Sequence, residues 1–438
     1  MNMKPTLYFS ALILLGVLGC VTNPITGESQ FNIVSQSSLL SMAKQAVPEQ
    51  FAADYGVISD TSMNTYVQRV GQKLLATLKP ADMVYQNMPF SFQIVNATYV
   101  NAYAFPDGSI AVTRGMMLEL ENEAQLAAVL GHEIAHVNCG HTASAMSKGN
   151  VLDMVVSGTG TYLKSKESSW TEVASLAGQV GGKALLASYS RDQERQADQG
   201  GMDYMVRAGY NPKGMIDLLK LLVRISSANP SLLEQMFATH PMSTERLASA
   251  TARVQSHYAS TQGQDGATSF STATARLRAN KPAVNAFAKA ETQLASKQTP
   301  AALQTVQNGL SLLPNDPAGV MILAEALAAS GQTALAKQVA TAALNTAAAM
   351  RAESMLVQCA LQQKDYPAAL QHLNQLERKG SSDSRISFFK AVAYEGLNQK
   401  SEAVESYNQY LSKSAASSAE GSYARQRLQQ LAPPPPTK

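Results

Sequence analysis

Cysteine is scarce. Three in 438 residues cannot build a disulfide framework, so the core must come from packing, and the chain is long enough to bury one. Charge is sparse too, at 15% of residues with a formal net of +3. That gives no basic patch of the kind nucleic-acid binding needs, and no nucleic-acid partner is expected. With 45% hydrophobic residues, the composition also excludes a disordered polyelectrolyte. Beyond residue 20 there is no apolar run of the ~18 residues that a membrane-spanning helix requires. The length is that of two or three domains.

One short apolar run is present, at the start. Lys4 supplies a positive segment, Leu7 to Leu18 is mostly apolar, and Val17-Leu18-Gly19-Cys20 closes it. The run is too short to span a bilayer and suits the centre of an export signal. Its end resembles a bacterial lipobox. That resemblance implies a signal peptide over residues 1–19, lipidation of Cys20, and a periplasmic protein anchored to the outer membrane. Residues 20–39, turn-rich at Asn23-Pro24-Ile25-Thr26-Gly27, read as the tether.

From Gln36 to Leu78 the pattern is largely helical, with Tyr66, Val70 and Leu74 at four-residue spacing. Phe90–Val95 alternates like a strand. Ala104-Phe105-Pro106-Asp107-Gly108 is a hairpin signal, with a second strand at Ser109–Thr113. Helical patterns then dominate to about Val254. The expected fold is α+β and mostly helical, with a catalytic domain over 40–255 that carries a small β-sheet. Residues 256–275, rich in Ser, Thr, Gly and Gln, read as a linker. Beyond them Ala302, Ala336, Ala369 and Ala403 recur, and Ala290, Ala324, Val357 and Ala391 fill a second frame twelve residues earlier. This period resembles the tetratricopeptide repeat, an all-α solenoid, over 276–431. Residues 432–438 form a Pro-rich tail.

The chemistry concentrates at His132-Glu133-Ile134-Ala135-His136. Two His at i and i+4 lie about 40° apart on a helical wheel, so both can reach one zinc ion with Glu133 beside it. Asn122 and Gln125 resemble a capping box, and Leu126, Leu130, Ile134 and Val137 line an apolar face. Catalytic zinc takes a third protein ligand. His141 is near, but five residues past His136 it swings off the face, and a solvent or backbone-bonded role is favoured. Glu194 is the better candidate, in a charged helical stretch with Asp198 one turn later. Asp198 can accept a hydrogen bond from the outward nitrogen of a zinc-bound His. Cys139 and Cys359 read as inert buried thiols.

Further motifs arrive in order: Asn101-Ala102-Tyr103-Ala104, Val112-Thr113-Arg114-Gly115-Met116, Ala197-Asp198, Gly209-Tyr210-Asn211-Pro212, and Thr239-His240-Pro241 with Arg246. Together with the His motif they resemble the HtpX/CAAX-protease-like family of zinc metallopeptidases, in its periplasmic branch of beta-barrel assembly-enhancing proteases with C-terminal repeats. Cys20 is a difference from that branch, which begins with an ordinary cleaved signal. The resemblance implies a gluzincin endopeptidase with one zinc per chain on His132, His136 and Glu194, and Glu133 as general base. His240 or Arg246 would help hold the oxyanion, or His240 would cap the resting metal. The strand Ser109–Thr113 would receive substrate as an added strand. Expected clients are unfolded or misassembled envelope proteins, with the repeats recruiting clients or outer-membrane assembly machinery. The competing readings are a repeat-based chaperone or adaptor with little protease activity, and a zinc hydrolase acting on another bond.

Overall fold

The computed structural model describes residues 20–147, 189–241, 244–413 and 418–431. The expected signal peptide and the Pro-rich tail lie outside the described residues. The chain forms two compact units. The first holds the described residues up to Lys44 and from Ile58 to Lys281; the second holds Gln45–Val57 and the described residues from Pro282.

The first unit opens with a hairpin, not a loose tether. Strands β1 (Cys20–Thr22) and β2 (Ser29–Phe31) pair antiparallel, Val21 opposite Gln30. Helix α1 (Gln36–Ala53) leads into the second unit. Helix α2 (Thr61–Leu75) starts where Asp60 accepts from the Met63 N–H, and it buries Tyr66, Val70 and Leu74. A three-stranded sheet follows: β3 (Ser91–Val95), β4 (Ala102–Ala104) and β5 (Ser109–Thr113), in the order β3-β5-β4.

That order corrects one expectation. β5 runs parallel to β3 and antiparallel to β4, so both its edges are used, and Ser109–Thr113 cannot accept a further strand. The outer edge of β3 is also filled: Gln68 and Asn64 of α2 accept from the Phe92 and Ile94 N–H groups. β4 is the remaining edge. Asn101 pairs with Thr113, and Phe105 with Ser109, so Ala102 and Ala104 turn their backbone groups away from β5.

Helices then dominate: α3 (Arg114–Glu119), α4 (Glu123–Asn138), α5 (Arg191–Arg207), α6 (Lys213–Ala228), α7 (Glu234–Thr239), α8 (Thr244–His257) and α9 (Ala267–Ala279). The stretch 256–275 is therefore not a bare linker. Gln264 bridges to Tyr210, the Asp265 carbonyl accepts from Ala124, and the Arg278 guanidinium bonds the Leu120 carbonyl. Its low hydrophobicity reflects a helix buried mainly through Phe270, Thr274 and Leu277. Among the described residues, no helix is long and apolar enough to cross a membrane.

The second unit is all-helical and periodic. Helix pairs Lys281–Ala295 with Thr299–Leu312, Pro317–Ala329 with Thr333–Ala343, Ala349–Gln362 with Tyr366–Arg378, and Arg385–Gly396 with Lys400–Lys413 precede a last helix, Ala419–Leu431. Ala302, Ala336, Ala369 and Ala403 are each fully buried, as are Ala290, Ala324, Val357 and Ala391. Small side chains there let paired helices approach closely. The turn inside each pair carries a left-handed residue, at Lys297, Gly331, Lys364 and Asn398, on the same period.

Candidate metal centre

Helix α4 buries every residue from Ala124 to Asn138, so its polar side chains must find partners inside the protein. Asn122 caps it by accepting from the Gln125 N–H at 2.9 Å. Gln125 reaches back one residue further than a capping box would, accepting from the Glu121 N–H at 2.6 Å. Helix α5 begins with a full capping box between Ser190 and Gln193. That places Glu194 in the first turn, where the helix dipole favours a carboxylate.

Two glycines bring these helices together. A Cβ on Gly131 would lie 2.9 Å from the Gly201 carbonyl oxygen, and one on Gly201 would lie 2.7 Å from the His132 nitrogen. The close crossing delivers Glu194 to the His motif. The Nε2 atoms of His132 and His136 stand 3.0 Å apart. Glu194 Oε1 is 3.3 Å from His136 Nε2, and its Oε2 is 3.5 Å from His132 Nε2. His240, directly after α7, sets its Nδ1 3.0 Å from Glu194 Oε1 and 3.4 Å from His132 Nε2. These four residues each offer one ligand atom, all within 4.8 Å of one another.

The chemistry of this set fits a zinc ion. Two facing imidazole nitrogens share at most one proton between them, whereas a cation at their centre satisfies both lone pairs and the carboxylate. Imidazole nitrogens with a carboxylate oxygen are the donors zinc takes.

The surrounding contacts hold the donors in place. Asp198 Oδ1 is 2.9 Å from His132 Nδ1. Arg246 of α8 grips Asp198 with two bonds of 2.7 Å, and its Nη1 lies 2.6 Å from Glu194 Oε2. The guanidinium that was expected near an oxyanion is thus engaged by two carboxylates. Glu133 Oε1 is 3.7 Å from His240 Nε2, and its Oε2 has no hydrogen-bond partner among the described residues. A cavity of about 20 Å³ lies beside Glu133, His132 and His240, walled by Leu218, Leu222 and Met236. That is room for about one water.

Charge follows burial. Burial pushes the Glu133 carboxyl above its usual range, against the partial pull of His240 and His132. Burial also opposes ionisation of Glu194, but the neighbouring His240 holds it well below that range. For Asp198 the Arg246 guanidinium likewise outweighs burial. Burial drives His136 well below the ordinary imidazole value, so it stays neutral. The Cys139 thiol is buried and pushed up to about 12, which leaves it unreactive; Cys359 is also buried.

The structure also places residues that the sequence pattern did not. His141, expected to face solvent or bond to backbone, is instead fully buried, with its Nδ1 2.9 Å from His136 Nδ1 and its Nε2 3.0 Å from Gln196 Oε1. The helix turns at Gly140, in a left-handed conformation, and that turn brings His141 back under the motif. Tyr189 stacks on the His136 ring at 3.8 Å. No spacing rule signals either residue, because both depend on where the chain turns next.

Residues 61–254 match Peptidase family M48. This match covers 194 of the 438 residues, and that stretch is similar to the M48 peptidases. The M48 domain contains every residue of the cluster. Among proteins similar to this chain is a beta-barrel assembly-enhancing protease of Escherichia coli (strain K12), 29% identical over 235 residues, 52% of this chain and 46% of that protein. Its Yersinia pestis counterpart is 30% identical over 204 residues, 46% of this chain and 41% of its own length. The chain thus matches less than half the length of these two relatives. Metalloprotease YcaL of Escherichia coli (strain K12) is 25% identical over 223 residues, 50% of this chain and 83% of that protein.

Proposed function

We propose that this protein is a zinc-dependent endopeptidase of the bacterial cell envelope, acting on unfolded or misassembled proteins. The observation that carries the reading is the convergence of His132, His136 and Glu194 with the buried carboxylate of Glu133 at their side. His132, His136 and Glu194 would hold one zinc ion. When bound there, zinc supplies Lewis acidity to a peptide carbonyl and acidity to a water. Glu133 takes the proton of the attacking water and returns it to the leaving amine. Asp198 and Arg246 orient His132 and Glu194 through the bonds above, and Arg246 acts as a positioning residue.

The outward groups of Ala102 and Ala104 on β4 would pair with an extended substrate backbone, in place of the Ser109–Thr113 strand. Ala102 borders the same cavity as His132 and Glu133. Such pairing reads backbone and favours unfolded chains. His240 supports a latent resting state: its Nδ1 belongs to the ligand cluster, and the cavity beside it admits no peptide. The similarity to beta-barrel assembly-enhancing proteases supports outer-membrane proteins as clients. The periodic helix pairs support a tetratricopeptide-type recruiting surface for clients or assembly machinery. Cys20, exposed at the first described position, is the proposed lipid attachment point to the outer membrane. Zinc analysis together with cleavage of an unfolded outer-membrane protein tests the reading. Full activity without bound metal would overturn it.

A further inference from the structure

A chain of hydrogen bonds joins the first hairpin to the back of His136. Asn23, in the turn between β1 and β2, accepts at Oδ1 from the N–H groups of Ile25 at 2.9 Å and Thr26 at 3.2 Å. A backbone N–H can only donate, so these bonds fix which way the amide points. Its Nδ2 donates to Gln196 Oε1 at 2.8 Å and to Gln30 Oε1 at 3.2 Å. Gln30 is fixed independently, because its Nε2 donates to the Cys139 carbonyl at 2.5 Å.

Gln196 therefore presents an oxygen, and that oxygen lies 3.0 Å from His141 Nε2. An oxygen there requires His141 to carry its proton on Nε2. The Nδ1 of a neutral His141 is then a lone pair, facing His136 Nδ1 at 2.9 Å. His136 must donate across that contact, so its proton sits on Nδ1. Its Nε2 is left bare, and Nε2 is the atom that meets His132 and Glu194. The hairpin is seated closely enough to hold this arrangement: a Cβ on Gly200 would lie 2.9 Å from Ile25 Cδ1. Asn23, His136 and His141 are all buried.

We propose that Asn23, Gln196 and His141 are positioning residues that fix the His136 tautomer, so that the N-terminal hairpin sets the affinity of the metal centre. The inference rests on reading the cluster as a zinc site. It treats the hairpin as a working part of the peptidase domain, although it precedes the M48 match at residue 61.

Two kinds of substitution in the full-length chain test it, read by zinc affinity in competition with a chromophoric chelator and by the melting temperature of the metal-free protein. Asn23→Asp keeps an oxygen for the Ile25 and Thr26 N–H groups but sets a second oxygen against Gln196. Gln196 must then turn its NH2 group inward, His141 Nε2 becomes an acceptor, and the His136 proton moves to Nε2, where it blocks the metal. Zinc affinity is expected to fall about 10- to 100-fold. Gln196→Glu keeps an acceptor for His141 and should bind zinc nearly as the wild type does. Gln196→Met removes the acceptor and should lose affinity like Asn23→Asp. An Asn23→Asp chain that melts normally and binds zinc as tightly as the wild type overturns the proposal. Should Asn23→Asp fail to fold, the Gln196 pair decides: equal losses in both variants mean a merely structural contact. A wild-type chain that binds no zinc would instead refute the metal centre itself.

Discussion

Gly131 and Gly201 face each other where α4 crosses α5, so closely that a Cβ on Gly131 would fall 2.9 Å from the Gly201 carbonyl oxygen. No other residue pair permits that approach, because any Cβ would press on backbone, which cannot rotate away. Gly201→Ala should therefore force the helices apart and draw Glu194 from the two His. Overpacking of this kind costs ~1–3 kcal/mol. The expected result is a lower melting temperature together with weaker zinc binding. Wild-type zinc affinity in Gly201→Ala would show that the helix separation does not set the site.

Glu133→Gln preserves the shape of the side chain and removes the proposed base. Zinc content should stay at the wild-type level while peptide hydrolysis disappears. In contrast, His132→Ala, His136→Ala and Glu194→Ala should lose the metal as well. Metal analysis beside a cleavage assay separates the two groups, and near-normal cleavage by Glu133→Gln would exclude its role as base.

His240 stands 3.0 Å from Glu194 within the ligand cluster. Removing it should open the fourth position, so His240→Ala is expected to cleave an unfolded substrate faster than the wild type. A fall of roughly two to three orders of magnitude would assign His240 to the oxyanion. An unchanged rate would remove it from both roles.

Cys20 is exposed, and Val21 and Thr22 after it pair into the hairpin. Cys20→Ala should shift the protein from the membrane fraction to the soluble one, since one lipid is the proposed anchor. Absence of labelled palmitate from the wild type would refute lipidation.

Much of the site is legible in the chain itself. The spacing of His132 and His136 needs only helix geometry, and Asn122 marks where that helix starts. Glu194 and Asp198 sit one turn apart on a second helix, and the order of motifs along the chain links them to the first. The burial of Ala302, Ala336, Ala369 and Ala403 follows from a period in the chain, since a repeated helix pair repeats its contact points. Local pattern fails where a residue's role depends on another part of the chain. Residues 256–275 carry few apolar side chains, so composition suggests a linker, yet α9 docks through Phe270 and the Arg278 bond to Leu120. Alternation identifies Ser109–Thr113 as a strand, but alternation cannot say that it lies between two others.

The sequence by itself determined most helices of the first unit, the start of α4 at Asn122, the repeat period and the paired His at one helical face, because each depends on neighbours within a turn or two. Only the tertiary structure decided that β4 is the open edge, that Arg246 clamps Asp198 and Glu194, and that His141 stands behind His136 with Gln196 and Asn23. The Arg246 clamp and the contacts of Gln196 with His141 and Asn23 join residues 48 to 173 positions apart. They are set by how closely two helices cross at Gly131 and Gly201 and by where the hairpin seats on Gly200, distances that no spacing along the chain encodes.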